Sequence, residues 1–308
     1  MSSFKTTIHG SCVGRPKLRA GRACVLATAV SLVLGGCATA RLNQFRSFSQ
    51  AGIAYTRASQ TLMEQAGTAS ISANSAILVK NRADLPLDER RKAVTASDAL
   101  LKRRLVVLRQ LNHHAQLLQS YFQTIADMAD SKAGQDLGSA AKGVYDSLAS
   151  LGKPLQTATI GNDKIADFVP AAINIAVANI KVKVLNTELN TRAPLIEREL
   201  ATQEAALNAL AKDLQENLAI KLNIDETQDV IRPYAAADGL PSDWTWRREQ
   251  VLRANVAVQS ASDAARAAKA LRESFVRLVG GTLTESAISD LIQDINSILD
   301  LAARIKGT

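Results

Sequence analysis

Apolar residues recur every three or four positions along most of this chain. Between Asp88 and Lys132 the residues Leu101, Leu105, Leu108, Leu111, Ala115, Leu118, Phe122, Ile125 and Ala129 fall on one stripe of a helix, close to a coiled-coil seam. A helix of about 45 residues is roughly 65 Å long, and it needs neighbours to bury such a stripe. An earlier helix is predicted over 41–81, closed by "RADLPLDERRK". There Pro86 disfavours a helical Leu85, and Asp88 and Glu89 suit the first turn of the next helix. Leu200, Leu207, Leu210, Leu214 and Leu218 mark a further stripe, with a bend expected at Pro194. "RPYAAADGLPSDW" is the clearest loop, and Ser242 or Asp243 can cap the Ala-rich helix that follows to Val279. The last helix is the most regular: Ile288, Leu291, Ile295, Ile298, Ala302 and Ile305 step by three and four. This seam is expected to pack within the chain.

Two stretches fit the pattern less well. Gly134, Gly138, Gly143 and Gly152 predict a shorter, weaker helix and then a turn at 151–163. "IADFVPAAINIAVANIKVKVL" is the most apolar part of the body, with Pro170 expected to kink it or mark its first turn. No segment shows sustained period-two alternation, hairpin signals are read as absent, and no repeat of fixed period emerges. The prediction is an all-α fold, an elongated antiparallel bundle of long helices.

Composition supports this. Aromatics make up 4% of the 308 residues, while Ala and Leu abound, a mix that suits helices better than strands. The net charge of +8 misleads. Residues 1–36 hold Lys5, Arg15, Lys17, Arg19 and Arg22 and no acid. Removing those five from the 37 basic side chains leaves 32 against 29 acidic ones, a net +3. A balance so near neutral gives no argument for nucleic acid.

The beginning of the chain has its own pattern. Residues 1–22 are basic, and "ACVLATAVSLVL" at 23–34 is apolar but shorter than the roughly 20 residues a membrane span needs. Basic, apolar, then small residues is the layout of a secretory signal. Leu34-Gly35-Gly36-Cys37 resembles the lipobox of bacterial lipoproteins. That resemblance implies cleavage between Gly36 and Cys37, diacylation of the Cys37 thiol and acylation of the new amino group. Cys12 and Cys24 would leave with the signal, so no free thiol or disulfide would remain. Ala38 stands where lipoproteins of enterobacterial type carry an Asp for inner-membrane retention. The resemblance therefore implies the outer membrane; a body on its periplasmic face is the leading expectation. The expected domains are a signal peptide at 1–36, a lipidated tether at 37–40 and one helical bundle at 41–308.

Candidate chemistry in the body is sparse. His113 and His114 are adjacent, about 100° apart on a helix, so they cannot chelate as an i, i+4 pair can. One near the seam and one in solvent is the expectation, with no metal and no cofactor. Nucleophile elbows, HExxH, Walker loops and GxGxxG sequences do not occur. Trp244 and Trp246 lie two apart beside the loop and cannot share one helical face. They form a possible partner surface; the plainer expectation packs one at the helix start and leaves the other on the surface. The leading reading is a non-enzymatic lipoprotein that acts as a structural or adaptor component and docks another envelope protein on its helices. A second is a membrane-active protein whose 166–185 stretch inserts. A third is an enzyme or small-molecule binder with an interhelical site, which convergent carboxylates around a cavity would favour.

Overall fold

The computed structural model of the chain describes residues 23–130, 146, 155, 158–160, 162–168, 183–237 and 239–306. The chain divides into two compact units, Met1–Arg41 and Leu42–Thr308. The described residues are overwhelmingly helical, and the fold is an all-α bundle. The weak helix expected near 134–152 and the apolar stretch around Pro170 lie almost wholly outside the described residues.

Helix α1 spans Ala23–Asn81 and so begins well before the position at which periodicity placed it. The run 23–34 is rich in Ala, Val and Leu, and only Gly35-Gly36, worth about 1 kcal/mol each against helix, interrupts its propensity. Helix α2, Leu87–Asp130, starts right after Pro86 and carries Asp88 and Glu89 in its first turn, as expected. It runs antiparallel to α1. Gly52 meets the Phe122 ring, Gln60 bonds Gln119 at 2.9 Å, Gly67 meets Leu105 and Ser97 bonds Asn74. The stripe from Leu108 to Ala129 is buried, while Leu101 and Leu105 are only half-buried.

A small hairpin corrects the expectation that hairpins are lacking. Strands β1 (Thr159–Ile160) and β2 (Asp163–Lys164) pair antiparallel, Thr159 opposite Lys164 and Ile160 opposite Asp163. The linking dipeptide is Gly161-Asn162, a sequence that favours tight hairpin turns. Strands of two residues are too short to show period-two alternation. A 3-10 turn, Ile165–Phe168, follows.

Helix α3, Lys183–Asp225, keeps Pro194 in its interior. It continues through a π-helical turn, Glu226–Ile231, into the short α4, Arg232–Ala235. The first residues of the expected loop are thus helical. Pro233 sits in the first turn of α4, where a missing N–H is least costly. Helix α5, Trp244–Val279, begins with Asp243 at the N-cap position, but the Asp243 side chain does not cap. Its carboxylate accepts from Arg247 Nε at 2.8 Å instead. Gly280 and Gly281 end α5; Gly281 has φ 74°, a left-handed conformation that glycine tolerates best. Helix α6, Glu285–Lys306, buries Ile288, Leu291, Ile295, Ile298, Leu301, Ala302 and Ile305 within the chain.

Phe45, Phe48, Phe122 and Phe275 are fully buried where α1, α2 and α5 meet. The Phe48 and Phe122 rings pack edge to face at 5.6 Å. The sequence reading made α3 an ordinary striped helix. The structure buries it almost all round, from Leu200 to Leu207 without a break. It is a central helix, and its polar residues are among those enclosed.

Candidate functional site

The concentration of unusual chemistry lies around the middle of α3. Glu197, Glu199 and Glu204 are each buried, 4%, 4% and 6% exposed. Isolated buried carboxylates would be untenable, since burying an ion costs several kcal/mol or more. Each of these has a partner from another helix. Arg272 of α5 donates Nε to Glu204 at 2.6 Å and Nη1 to Glu197 at 3.1 Å. His114 of α2 places Nδ1 2.9 Å from Glu199 Oε1, and Gln203 Nε2 donates to the same oxygen at 3.2 Å. From α1, Tyr55 faces the layer. Burial raises its phenol pKa, the neighbouring Ser59 hydroxyl opposes that, and the charges of Glu204 and Glu199 push it further up. For Arg272 burial lowers the pKa, but the bonds and charges of Glu204 and Glu197 outweigh it and the net direction is up. Farther along α3, Asp213 pairs with Arg104 of α2. Burial pulls the Arg104 guanidinium down to about 10, against the charge of Glu216.

Four helices therefore contribute to one polar layer, in which the three carboxylates are paired while the Tyr55 hydroxyl, His114 Nε2 and Gln203 Oε1 are buried without a hydrogen-bond partner among the described residues. Such a layer fixes the height and rotation of each helix against its neighbours, because sliding any of them would strand a charge. It offers no open carboxylate pair for acid–base work.

A cavity of about 700 Å³ lies between α1 and α2, lined by Met63, Gly67, Leu105, Leu108, Arg109 and His114 among others. None of the three buried glutamates is among its described lining residues. His114 alone belongs to both features. The cavity itself carries one carboxylate among these lining residues, Glu64, beside His113 and His114. Among the described residues, no group of three or more His, Cys, Asp or Glu is arranged to hold a metal ion.

The residues singled out from sequence separate widely. His113 is exposed, whereas His114 is 1% exposed and tied to Glu199. Trp244 is half-buried: its indole N–H donates to the Val230 carbonyl at 3.0 Å, and Tyr234 stacks on it at 5.5 Å. Arg248 lies 6.0 Å over the same ring. Trp246 is 61% exposed. Trp244 thus staples the π turn and α4 to the start of α5, and Trp246 is left on the surface. Gly36 and Cys37 lie on the helical backbone of α1.

Sequence reasoning missed Glu197, Glu199 and Glu204, because "ERELATQEAALNAL" reads as a solvated helix. One signal was present. Glu197, Leu200, Glu204, Leu207, Ala211 and Leu214 step 3, 4, 3, 4, 3, so two glutamates occupy the seam itself. Compared with family models, curated proteins and solved structures, the chain matches none of them.

Proposed function

We propose that this chain is an outer-membrane lipoprotein, anchored through acylated Cys37, whose helical bundle serves in the periplasm as a non-enzymatic adaptor for another envelope protein. The observation that carries the reading is the order of the first 37 residues: basic, apolar, then Leu34-Gly35-Gly36-Cys37. Several acyl chains give lasting attachment where one gives only marginal binding. Cleavage before Cys37 needs an extended peptide, and α1 is helical there. Two glycines at 35 and 36 make local unwinding cheap, about 1 kcal/mol each relative to Ala. No described helix is long and apolar enough to cross a membrane. The adaptor role is supported by a body whose buried carboxylates are paired with residues of other helices.

The test is metabolic labelling with a fatty acid. Wild-type chain takes up label, and Cys37→Ala stays uncleaved and unlabelled; label that persists in the variant sinks the anchor. For the adaptor role, the acylated protein is purified from its own membranes. A partner in fixed ratio is expected, and none in any ratio removes that part of the reading.

A further inference from the structure

The far end of the α1–α2 pair differs from the rest of the bundle. Asn81 lies 39 residues along α1 from Leu42, roughly 60 Å at 1.5 Å per residue. Between residues 78 and 103 only Ser97 is buried. Leu87 is 78% exposed, Val79 73%, Leu100 60% and Val94 46%. The same segment is basic. Residues 80–103 hold seven Lys and Arg against four Asp and Glu. That excess of +3 equals the net charge of everything after residue 36, so the rest of the body is neutral. Among the described residues of 78–103 the one ion pair is Lys92–Glu89, at 2.9 Å.

We infer that the tip of the α1–α2 hairpin docks on the surface of an anionic phospholipid bilayer, with Val79 and Leu87 entering the headgroup boundary and Arg90, Arg91 and Lys92 meeting lipid phosphates. The shape favours lipid over an acidic protein. A stable protein interface needs about 800 Å² of well-packed surface per partner. This tip is a narrow turn with separate apolar side chains, Val79 next to Lys80 and Leu87 next to Asp88. A bilayer accepts isolated apolar side chains, and long basic side chains reach past them to the headgroups. Attraction of Lys and Arg to anionic lipid acts over about a Debye length, so the contact weakens with salt. The tip lies at the opposite end of α1 from Leu42. On the anchor reading above, this contact is additional to the one that the acyl chains make.

The test uses the full acylated chain, reconstituted into donor vesicles of phosphatidylcholine. Fluorescent acceptor vesicles are either phosphatidylcholine alone or phosphatidylcholine and phosphatidylglycerol in equal parts, and capture by the donors is counted. Capture of the phosphatidylglycerol acceptors alone is expected, with loss at high salt. Val79→Asp with Leu87→Asp should reduce it at least tenfold, as should Arg90→Glu, Arg91→Glu and Lys92→Glu together. Circular dichroism checks that the variants fold. Equal capture of both acceptors, or capture that either folded variant retains, overturns the inference and leaves an acidic protein as the tip's partner. If the chain does not stay with the donors, the anchor reading falls alone, and direct co-sedimentation of wild type and variants with the same acceptors decides the tip.

Discussion

The middle of α3 and the tip of the α1–α2 hairpin invert the usual relation of polarity to burial. At α3, Glu197, Glu199 and Glu204 are enclosed; at the tip, Val79 and Leu87 stand in solvent. The difference lies in what each can find nearby. A buried carboxylate is tolerable where a guanidinium or an imidazole from another helix reaches it, here Arg272 at Glu197 and Glu204 and His114 at Glu199. An exposed leucine is ordinary alone, and becomes informative when several share a protrusion that also holds the excess charge of the body. The first region sets how the helices align. The second is free to meet something outside the chain.

The largest expected effect comes from breaking the buried layer. Arg272→Leu keeps an apolar side chain of fair size but strands Glu197 and Glu204. Removing one partner of a buried pair costs about 3–5 kcal/mol. Denaturant unfolding should show the midpoint falling with little change in slope. A loss under about 1 kcal/mol would mean that the layer admits water freely, and its role in alignment would go with it. Restoring balance with Glu197→Gln and Glu204→Gln in the same chain should recover part of the loss.

A matched pair of glycines on α1 tests where the bundle loosens. A Cβ on Gly52 would lie 2.6 Å from the fully buried Phe122 ring, which is already packed on Phe48. On Gly67 it would lie 3.2 Å from the flexible end of Leu105, a half-buried side chain. Ala gains about 0.5–1 kcal/mol over Gly in a helix. At Gly52 overpacking, typically about 1–3 kcal/mol, should win and destabilise. At Gly67 the propensity gain should win and the midpoint should hold or rise. Equal losses at both sites would mean that packing near Leu105 is as tight as at Phe122, and the contrast between the two ends would fade.

A smaller effect is expected from Tyr55. Its phenol pKa is raised in the folded chain by burial and by the nearby glutamate charges, while an unfolded phenol titrates near about 10. The unfolded state therefore loses its proton first as pH rises. Stability from this group is full below about pH 10 and falls with further increase, as the unfolded form is favoured. Tyr55→Phe should flatten that alkaline fall and cost about 1 kcal/mol or less at neutral pH. Unfolding midpoints measured from pH 7 upward, wild type beside variant, check the sign.

Much of this fold was legible, and the failures have physical causes. The stripes on α2 and α6 came through because the positions that define them are apolar, with buried His114 lying beside the α2 stripe. Pro86 and Gly280-Gly281 ended helices where backbone constraints say they must. The hairpin at 159–164 was missed because two-residue strands carry no periodicity, though Gly161-Asn162 marked its turn. The centrality of α3 was missed because burial there is supported by ion pairs, and a single chain of letters does not show that Arg272 or His114 will meet a given glutamate. The tip was hidden for the opposite reason. Leu87 and Val94 continue the apolar period of α2, and periodicity alone could not show that nothing covers them.

The smallest expected effect, and the one that sharpens the comparison most, is Leu87→Asp. A leucine-to-aspartate change at Leu207, 1% exposed on α3, would bury a new charge with no partner and cost several kcal/mol. At Leu87 the side chain is already mostly in water and little is lost by removing it. The new carboxylate would enter the first turn of α2 beside Asp88 and Glu89. The helix dipole favours an acid there by about 0.3–1 kcal/mol, and repulsion from those two acids offsets the gain. The net change in stability should stay within about 0.5 kcal/mol, as for other exposed positions. Thermal unfolding of the single variant decides it. A loss above about 2 kcal/mol would show that Leu87 is packed against the protein. Then the tip would be part of the core, the contrast with α3 would collapse, and the bilayer contact would lose the side chain on which it depends.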